Sequence, residues 1–143
     1  MQAYTSSTIK SSFDFFTPIQ IKFSDIDSYL HVNNGKYFQY FEHARAEYLL
    51  KYCNWDIFKI GTVVAKITIN YRKPIHIGDI VSVYVKCLSV GRSSFELEQL
   101  VFGTSAEGKE YVFAQAQTTM VAVNMEDMKP MPVPDEYRAK MIG

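Results

Sequence analysis

The sequence has 143 residues, the length of one ordinary domain. Lys and Arg together number 15, and so do Asp and Glu, so the formal net charge is zero. This balance argues against nucleic-acid binding as the main activity, because such proteins usually carry a strongly basic surface. The absence of a run of about 18 apolar residues excludes a membrane-spanning helix. The N-terminus lacks the apolar core of a signal peptide, so we expect a cytoplasmic protein.

Residue usage is that of a globular protein, with 48% hydrophobic and 21% charged residues. Aromatic residues reach 15% of the chain, which predicts a bulky core, an aromatic-lined pocket or a buried interface. Cys53 and Cys87 stand far apart and form no Cys-x-x-Cys motif. We therefore expect two buried free thiols rather than a disulfide or a metal site.

The N-terminal part combines a polar start, a short strand and the beginning of a helix. Residues 1–14 are polar and predict a loose arm. Residues 19–23 alternate between apolar and polar side chains, which is the period of a half-buried strand. After a polar break, Asn33 and Asn34 can cap a helix, because a carboxamide oxygen accepts a free N–H of the first turn.

A helix is predicted over about residues 34–53, where apolar side chains recur at spacings of three and four. Its stripe consists of Tyr37, Phe38, Phe41, Ala44, Tyr48, Leu49 and Tyr52. Glu42–Arg45 and Glu47–Lys51 are expected as ion pairs on the remaining surface. A stripe this wide and aromatic predicts a helix that is largely wrapped by other elements.

The rest of the chain is predicted to form a sheet. The predicted strands are residues 62–72, 81–86, 95–101 and 111–124, separated by a connection at 73–79, a tight turn at 91–92 and a hairpin loop at 103–110. The tail from residue 125 contains three Pro residues and is predicted to be irregular until a short helical end.

This order of elements predicts an α+β fold with a mostly antiparallel sheet, since no helices separate the later strands. One helix and one large sheet bury each other best if the sheet curls around the helix. We expect residues 1–143 to form a single domain, with 1–16 and 125–143 as peripheral segments.

The densest chemistry lies in residues 25–34, where two carboxylates, an imidazole and two carboxamides precede the helix. A helix N-terminus offers free N–H groups that polarise a carbonyl and stabilise the oxyanion formed when it is attacked. A neighbouring carboxylate can act as nucleophile or as general base. The pattern suits hydrolysis of an activated acyl group. The alternative is a polar loop that only caps the helix.

Other polar residues give weaker signals. His43 and Glu47 lie four residues apart without a His-Glu-x-x-His motif, so an exposed pair is favoured over metal ligands. His76 is expected to be solvated in its loop, and Trp55 is expected to fill the core. Four cations could meet a phosphate-bearing ligand, although scattered cations are more often solvated surface: Lys66, Arg72, Lys73 and Arg92.

The stretch from Ile21 to Leu49, IKFSDIDSYLHVNNGKYFQYFEHARAEYL, resembles the hotdog-fold acyl-CoA thioesterases of the 4-hydroxybenzoyl-CoA thioesterase type. Those enzymes have an acidic residue after a strand, a Gly-His-Val-Asn-Asn-like turn and a helix with a Tyr-x-x-x-Phe-Glu-x-Ala-Arg pattern. The matching residues are Asp27, His31, Val32, Asn33, Asn34, Tyr37, Phe41, Glu42, Ala44 and Arg45. Residues 69–74 and 78–79 also resemble the family, so the likeness covers roughly 17–124.

The resemblance implies the hotdog fold, in which a curved antiparallel sheet wraps a long central helix. Asp27 matches the catalytic acid, which acts as nucleophile or general base, and the Asn34 N–H matches the group that polarises the carbonyl. His31 is expected to orient water or the carboxylate, or to support the turn. Substrate binding is expected from Asn33, Asn34, Tyr37, Arg72, Lys73 and Arg92.

The implied reaction is hydrolysis of an acyl thioester, carried on coenzyme A or acyl carrier protein, to a free acid and a thiol. No metal or cofactor is expected, since coenzyme A is part of the substrate. The resemblance also implies a homodimer or homotetramer with active sites at the subunit interface. The alternatives are a non-catalytic hotdog module that binds acyl thioesters or a protein and, ranked lower, a hotdog dehydratase.

The sequence departs from the family at Leu30, where many members have Gly. Because Gly adopts a positive φ cheaply and Leu does not, we expect the turn between Asp27 and the helix to differ. Asp25, two residues before Asp27, is predicted to be a structural carboxylate bonded to backbone N–H groups.

Overall fold

The computed structural model describes residues 4–142, and residues 1–3 and 143 lie outside that range. In chain order the elements are α1 (Ser6–Ser12), β1 (Phe15–Ile19), α2 (Asn34–Glu47), β2 (Ile60–Tyr71), β3 (Ile80–Val90), β4 (Ser94–Thr104), β5 (Glu110–Asn124) and α3 (Asp135–Ile142). The strands form one antiparallel sheet in the order β1-β3-β4-β5-β2. The predicted α+β architecture is confirmed, with α2 packed against one face of the sheet.

Helix α2 begins after Asn33, the residue that caps it, and a π-helical turn over Tyr48–Tyr52 extends it almost to the predicted end. Most of the predicted apolar stripe is buried. The assignment of Phe38 to that stripe is wrong, because its side chain is 49% exposed. At 100° per residue, Phe38 turns away from the face that carries its neighbour Tyr37.

The ion pairs predicted for α2 fare differently. Glu47 and Lys51 do pair, with 2.9 Å between Oε2 and Nζ. The Glu42–Arg45 surface pair is wrong, because Arg45 lies one turn after the buried Phe41 and is itself only 6% exposed. Its Nη1 donates a hydrogen bond to Oε1 of Gln99 on β4 (3.3 Å).

The inner face of the sheet supplies the main core. The face predicted for β4 is confirmed, since Phe95, Leu97, Gln99 and Val101 are all buried. Gln99 also ties the sheet to α2, because its Nε2 donates to the backbone oxygen of Phe41 (2.9 Å). The strands run a few residues longer than predicted, since ladder pairing continues past the alternating segments.

The N-terminal segment is more ordered than the sequence predicts. A loose arm was predicted for residues 1–14, of which 1–3 lie outside the described residues. Instead, residues 6–12 form α1, which covers the outer face of the sheet. Ile9 and Phe13 pack there against Tyr84, Leu100 and Phe102. The first strand is also misplaced in the prediction: β1 precedes residues 20–22, which are irregular, and Phe23 is 80% exposed in a 3₁₀ turn.

The C-terminal segment ends in the predicted short helix. Tyr137 of α3 stacks on Trp55 with ring centroids 4.4 Å apart, and Trp55 is confirmed as a core residue. Both cysteines are free, Cys53 buried and Cys87 half-buried. Burial raises the pKa of Cys53 to about 12 and that of Cys87 to about 11. No helix within residues 4–142 is long and apolar enough to cross a membrane.

Candidate active site

A cavity of about 530 Å³ opens at the N-terminal end of α2. The loop before α2 and the first turn of the helix form one wall, and the end of β2 with the following segment forms the other. The lining residues are Asp27, His31, Val32, Asn33, Asn34, Tyr37, Tyr71, Arg72, Lys73 and Pro74. The structure thus brings together every predicted site residue except Arg92.

Asp27 is half-buried and sits in a tight loop. Its Oδ1 accepts hydrogen bonds from the N–H groups of Tyr29 (2.9 Å) and His31 (3.3 Å). Its own N–H donates to the His31 oxygen (2.8 Å). Within the described residues Oδ2 has no hydrogen-bond partner. One carboxylate oxygen is therefore held by the loop, and the other is available to substrate or water.

Leu30 takes a backbone conformation that normally favours glycine. Its φ is +65°, and its N–H donates to the Asp27 oxygen (3.0 Å) to close the turn. A side chain in this left-handed region costs about 1–2 kcal/mol relative to the right-handed one. The loop that holds Asp27 therefore forms with Leu at a position where Gly would be less strained.

The loop that carries His31 is bonded to the segment after β2. His31 and His76 form an antiparallel β-bridge, and the Val32 N–H donates to the Ile75 oxygen (2.8 Å). The two imidazole rings meet edge to face with centroids 4.6 Å apart. The His76 side chain is 47% exposed, as the prediction of a solvated loop residue requires. The prediction did not include its contact with the His31 ring. Asp79 accepts the His76 N–H on Oδ2 (2.8 Å).

The start of α2 leaves one backbone N–H, that of Asn34, without an acceptor among the described residues, and Asn34 lines the cavity. Asn33 Oδ1 accepts the Gly35 N–H (2.8 Å), which confirms the predicted capping role of Asn33. Asn34 is the first helical residue, and its N–H has no acceptor within the helix. Together with the positive end of the helix dipole, this N–H can stabilise negative charge on a bound oxygen.

Two tyrosines form the aromatic part of the wall. Tyr37 was predicted, and it is 2% exposed. Burial raises the pKa of Tyr37 to about 12, so its hydroxyl is protonated at neutral pH. Tyr71 was missed: its ring meets that of Tyr37 edge to face at 5.0 Å, and its hydroxyl donates to the Asn34 oxygen (3.3 Å). The one sequence signal for Tyr71 as a site residue is its position next to Arg72 in residues 69–74, the segment that resembles the family.

The predicted cations separate into two groups. Arg72 and Lys73 line the cavity, and Lys73 Nζ lies 4.3 Å from the ring centroid of Tyr111. Arg92 lies in the β3–β4 turn, at the other end of β3 from the cavity side, and its role in substrate binding stays a prediction. Lys66 is exposed within β2.

Asp25 is confirmed as a structural carboxylate. It is 6% exposed, and its Oδ2 accepts hydrogen bonds from the Lys22 N–H (3.1 Å) and the Tyr40 hydroxyl (2.7 Å). Burial and the bond to Asp25 raise the pKa of Tyr40 above its usual range. His43 and Glu47 lie 3.8 Å apart as expected, although only His43 is exposed and Glu47 is half-buried. Within residues 4–142, His, Cys, Asp and Glu side chains form no group of three or more suited to a metal ion.

The sequence model of the thioesterase-like superfamily matches residues 21–141. The chain belongs to the thioesterase-like superfamily. The resemblance seen in the segment that contains Asp27 is thereby confirmed. The uncharacterised protein YsmA of Bacillus subtilis is 34% identical to this thioesterase-family chain over 134 residues, which cover 93% of the chain and 88% of YsmA. FadM of Escherichia coli, named a long-chain acyl-CoA thioesterase, is 30% identical over 131 residues, with coverage of 87% and 95%.

Solved thioesterases share the fold. A Thermus thermophilus thioesterase, solved with coenzyme A and zinc, is 31% identical with a TM-score of 0.76, covering 92% of this chain and 100% of that one. A variant of 4-hydroxybenzoyl-CoA thioesterase, solved with 4-hydroxybenzoyl-CoA, is 18% identical with a TM-score of 0.80, covering 89% and 97%. The second likeness concerns the fold alone, and it confirms the predicted hotdog architecture.

Proposed function

We propose that this thioesterase-family chain hydrolyses acyl-CoA thioesters in the cavity beside Asp27. The observation that carries the proposal is that a carboxylate with a free oxygen, an imidazole and the N-terminus of α2 line one cavity. The name of FadM and the coenzyme A in the Thermus structure support acyl-CoA as the substrate class, since both relatives are at least 30% identical. Acyl carrier protein remains the alternative carrier to be compared in the same assay. The cytoplasmic location stays a prediction.

The helix start is proposed to act on the carbonyl oxygen of the thioester. When the carbonyl carbon is attacked, negative charge moves onto this oxygen, next to the Asn34 N–H. Because the N–H and the helix dipole stabilise the oxyanion more than the neutral carbonyl, they lower the barrier rather than only tightening binding. The carbon–sulfur bond then breaks, and the thiolate of coenzyme A leaves and takes up a proton.

Asp27 has two possible roles in this step. As a general base, Oδ2 takes a proton from a water molecule whose oxygen attacks the carbonyl carbon. As a nucleophile, Oδ2 itself bonds to that carbon, and water then cleaves the mixed anhydride. A single turnover in heavy-oxygen water tests the second route, because label in the Asp27 carboxylate arises only if water cleaves an anhydride at that residue.

The decisive variant is Asp27→Asn, because it keeps the oxygen that accepts the Tyr29 and His31 N–H groups and removes the charge. We expect kcat/KM to fall by about 10²–10⁴, the usual contribution of a positioned base, with little change in melting temperature. Asp56→Asn is the matched control: Asp56 Oδ1 accepts the Phe58 N–H (3.0 Å) with the same two-residue spacing, and Asp56 lies outside the cavity.

The assay should use short, medium, long and aromatic acyl-CoA thioesters and the same acyl groups on acyl carrier protein, with thiol release as the signal. Folded Asp27→Asn protein that turns over at the wild-type rate would refute the site. If the wild type binds these thioesters by calorimetry but hydrolyses none, the chain is a non-catalytic binding module instead.

Arg72 and Lys73 are proposed to bind the phosphates of coenzyme A at the cavity rim. Arg is suited to this task because its planar guanidinium can donate two parallel hydrogen bonds to one phosphate. Arg72→Ala is expected to raise KM for acyl-CoA, and the increase should shrink as ionic strength rises.

We also propose that two copies associate through the outer edge of β2, as a homodimer or as half of a homotetramer. This strand has 12 residues and lies at the sheet edge, with Val63 37% and Val64 45% exposed, and long apolar edges of this kind tend to pair. Arg45, buried beside the exposed Glu42, has no carboxylate within 4 Å in the described chain, so a second copy could supply one. A monomer in sedimentation experiments would refute this assembly.

A further inference from the structure

The segment before β1 is fixed to the outer face of the sheet. Helix α1 begins with reciprocal hydrogen bonds: the Thr8 N–H donates to Thr5 Oγ1 (3.1 Å), and the Thr5 N–H donates to Thr8 Oγ1 (2.9 Å). One turn later, the fully buried Ile9 packs into the outer-face cluster. The residue that precedes this capped turn, Tyr4, is therefore held close to the sheet.

Tyr4 is anchored through its hydroxyl to a buried carboxylate. The hydroxyl donates to Glu98 Oε2 (2.8 Å) and accepts a hydrogen bond from Gln115 Nε2 (2.9 Å). Glu98 is 5% exposed, and Lys86 Nζ lies 3.5 Å from its other oxygen. Burial, with the hydrogen bond to Glu98, raises the pKa of Tyr4 to about 12, so the hydroxyl remains a donor at neutral pH.

The ring of Tyr4 lies against Arg72. The guanidinium carbon of Arg72 is 5.3 Å from the ring centroid, within the range of a cation–π contact. The Arg72 backbone is held by the bond from its N–H to the Phe113 oxygen (2.9 Å), but its side chain is exposed and lines the Asp27 cavity. Among residues 4–142 no hydrogen bond or ion pair holds the guanidinium, so the Tyr4 ring is the contact that restricts this rotamer-rich side chain.

We propose that Tyr4 is a positioning residue that holds the Arg72 guanidinium at the cavity rim for the phosphates of coenzyme A. The inference rests on the proposed role of Arg72 in substrate binding. An Arg side chain that is ordered before the substrate arrives loses less conformational entropy when it binds phosphate. The N-terminal segment then contributes to substrate affinity although Tyr4 itself does not line the cavity.

The test compares Tyr4→Leu, which removes the ring, with Tyr4→Phe, which keeps it. In Tyr4→Leu we expect KM for acyl-CoA to rise about three-fold, because a surface cation–π contact of that strength is lost, and we expect kcat to stay unchanged. Tyr4→Phe is expected to stay closer to the wild type. The same acyl group on pantetheine, which lacks the phosphates of coenzyme A, should show no KM increase in Tyr4→Leu, whereas a general loss of structure would raise both values.

Coupling to Arg72 is tested with the double variant Tyr4→Leu/Arg72→Ala. Its KM should equal that of Arg72→Ala alone, because the ring has no guanidinium left to hold. If the two KM increases multiply, or if Arg72→Ala raises KM and Tyr4→Leu does not, the inference is overturned while the proposed function stands. If Arg72→Ala has no effect, the inference falls with the role of Arg72, and hydrolysis at Asp27 is still judged separately by Asp27→Asn.

A second variant covers the case in which Tyr4→Leu does not fold. Thr5→Ala removes the Oγ1 that accepts the Thr8 N–H and so weakens the capped turn, but it leaves Tyr4 and Glu98 in place. We expect a smaller KM increase for acyl-CoA in the same direction, absent when Arg72 is already Ala. An unchanged KM in folded Thr5→Ala, when Arg72→Ala does raise KM, would leave the segment without a role in binding and overturn the proposal.

Discussion

Tyr37 couples the folding stability of the chain to alkaline pH. Burial raises the pKa of its hydroxyl from the ordinary value of 10.0 to about 12. Below pH 10 the hydroxyl is protonated in the folded and the unfolded chain alike, so its full contribution is present. Between pH 10 and 12 only the unfolded chain releases the proton, and the free energy of unfolding falls by about 1.4 kcal/mol per pH unit. Over two units Tyr37 accounts for a loss of about 2.7 kcal/mol.

Tyr37→Phe removes this titration and keeps the ring that meets Tyr71 at 5.0 Å. Tyr4, Tyr40 and Tyr48, whose pKa values burial also raises, still titrate, so the variant should lose stability at high pH less steeply than the wild type but not remain level.

The measurement is urea unfolding at a series of pH values from about 8 to 11.5, with the free energy of unfolding plotted against pH. The control is Tyr29→Phe, which changes a ring that is 78% exposed in the folded chain. If Tyr37→Phe and the wild type lose stability with the same slope above pH 10, the linkage assigned to Tyr37 is wrong.

Three further variants test the site and the sheet. His31→Ala should reduce kcat/KM less than Asp27→Asn does. An unchanged rate would mean that His31 only supports the turn and does not orient water or the carboxylate. Gly103→Ala should lower the free energy of unfolding by about 3 kcal/mol, because its Cβ would fall 2.7 Å from the Val81 Cα and clash with the Ile80 backbone. At Gly108 φ is +87°, and beyond its chain neighbours no atom of residues 4–142 lies within 4 Å of the added Cβ, so the same change should cost only about 1–2 kcal/mol. Equal losses in urea titrations would contradict the packing argument.

The sheet was largely predictable, but its first strand and α1 were not. Pro18 made residues 15–19 a poor strand candidate, yet β1 is an edge strand in which a missing N–H is tolerated. The α1 sequence, SSTIKSS, has low helix propensity. The helix forms because Thr5 caps it and Ile9 buries its side chain on the sheet, a tertiary contact that local pattern does not reveal.

The site was predictable where its residues are close in sequence. Asp27, His31 and Asn34 fall within one short stretch next to a helix start, so their proximity follows from the chain itself. Tyr71 was missed, and His76 was expected only to be solvated, because their partners Asn34 and His31 lie far away in sequence and meet them only in the folded chain. Arg45 was misplaced because helical spacing alone did not show how far the sheet covers that side of α2.

The backbone bonds between the His31 loop and the His76 segment have a consequence for how a ligand enters. The Val32-to-Ile75 hydrogen bond and the β-bridge beside it join the two sides of the entrance directly. Where these bonds are made, the spacing between the two segments is set when the chain folds rather than when a ligand binds. A rigid mouth of this kind spends little free energy on ordering itself and discriminates by shape, admitting groups that match the standing gap and rejecting those that would have to widen it.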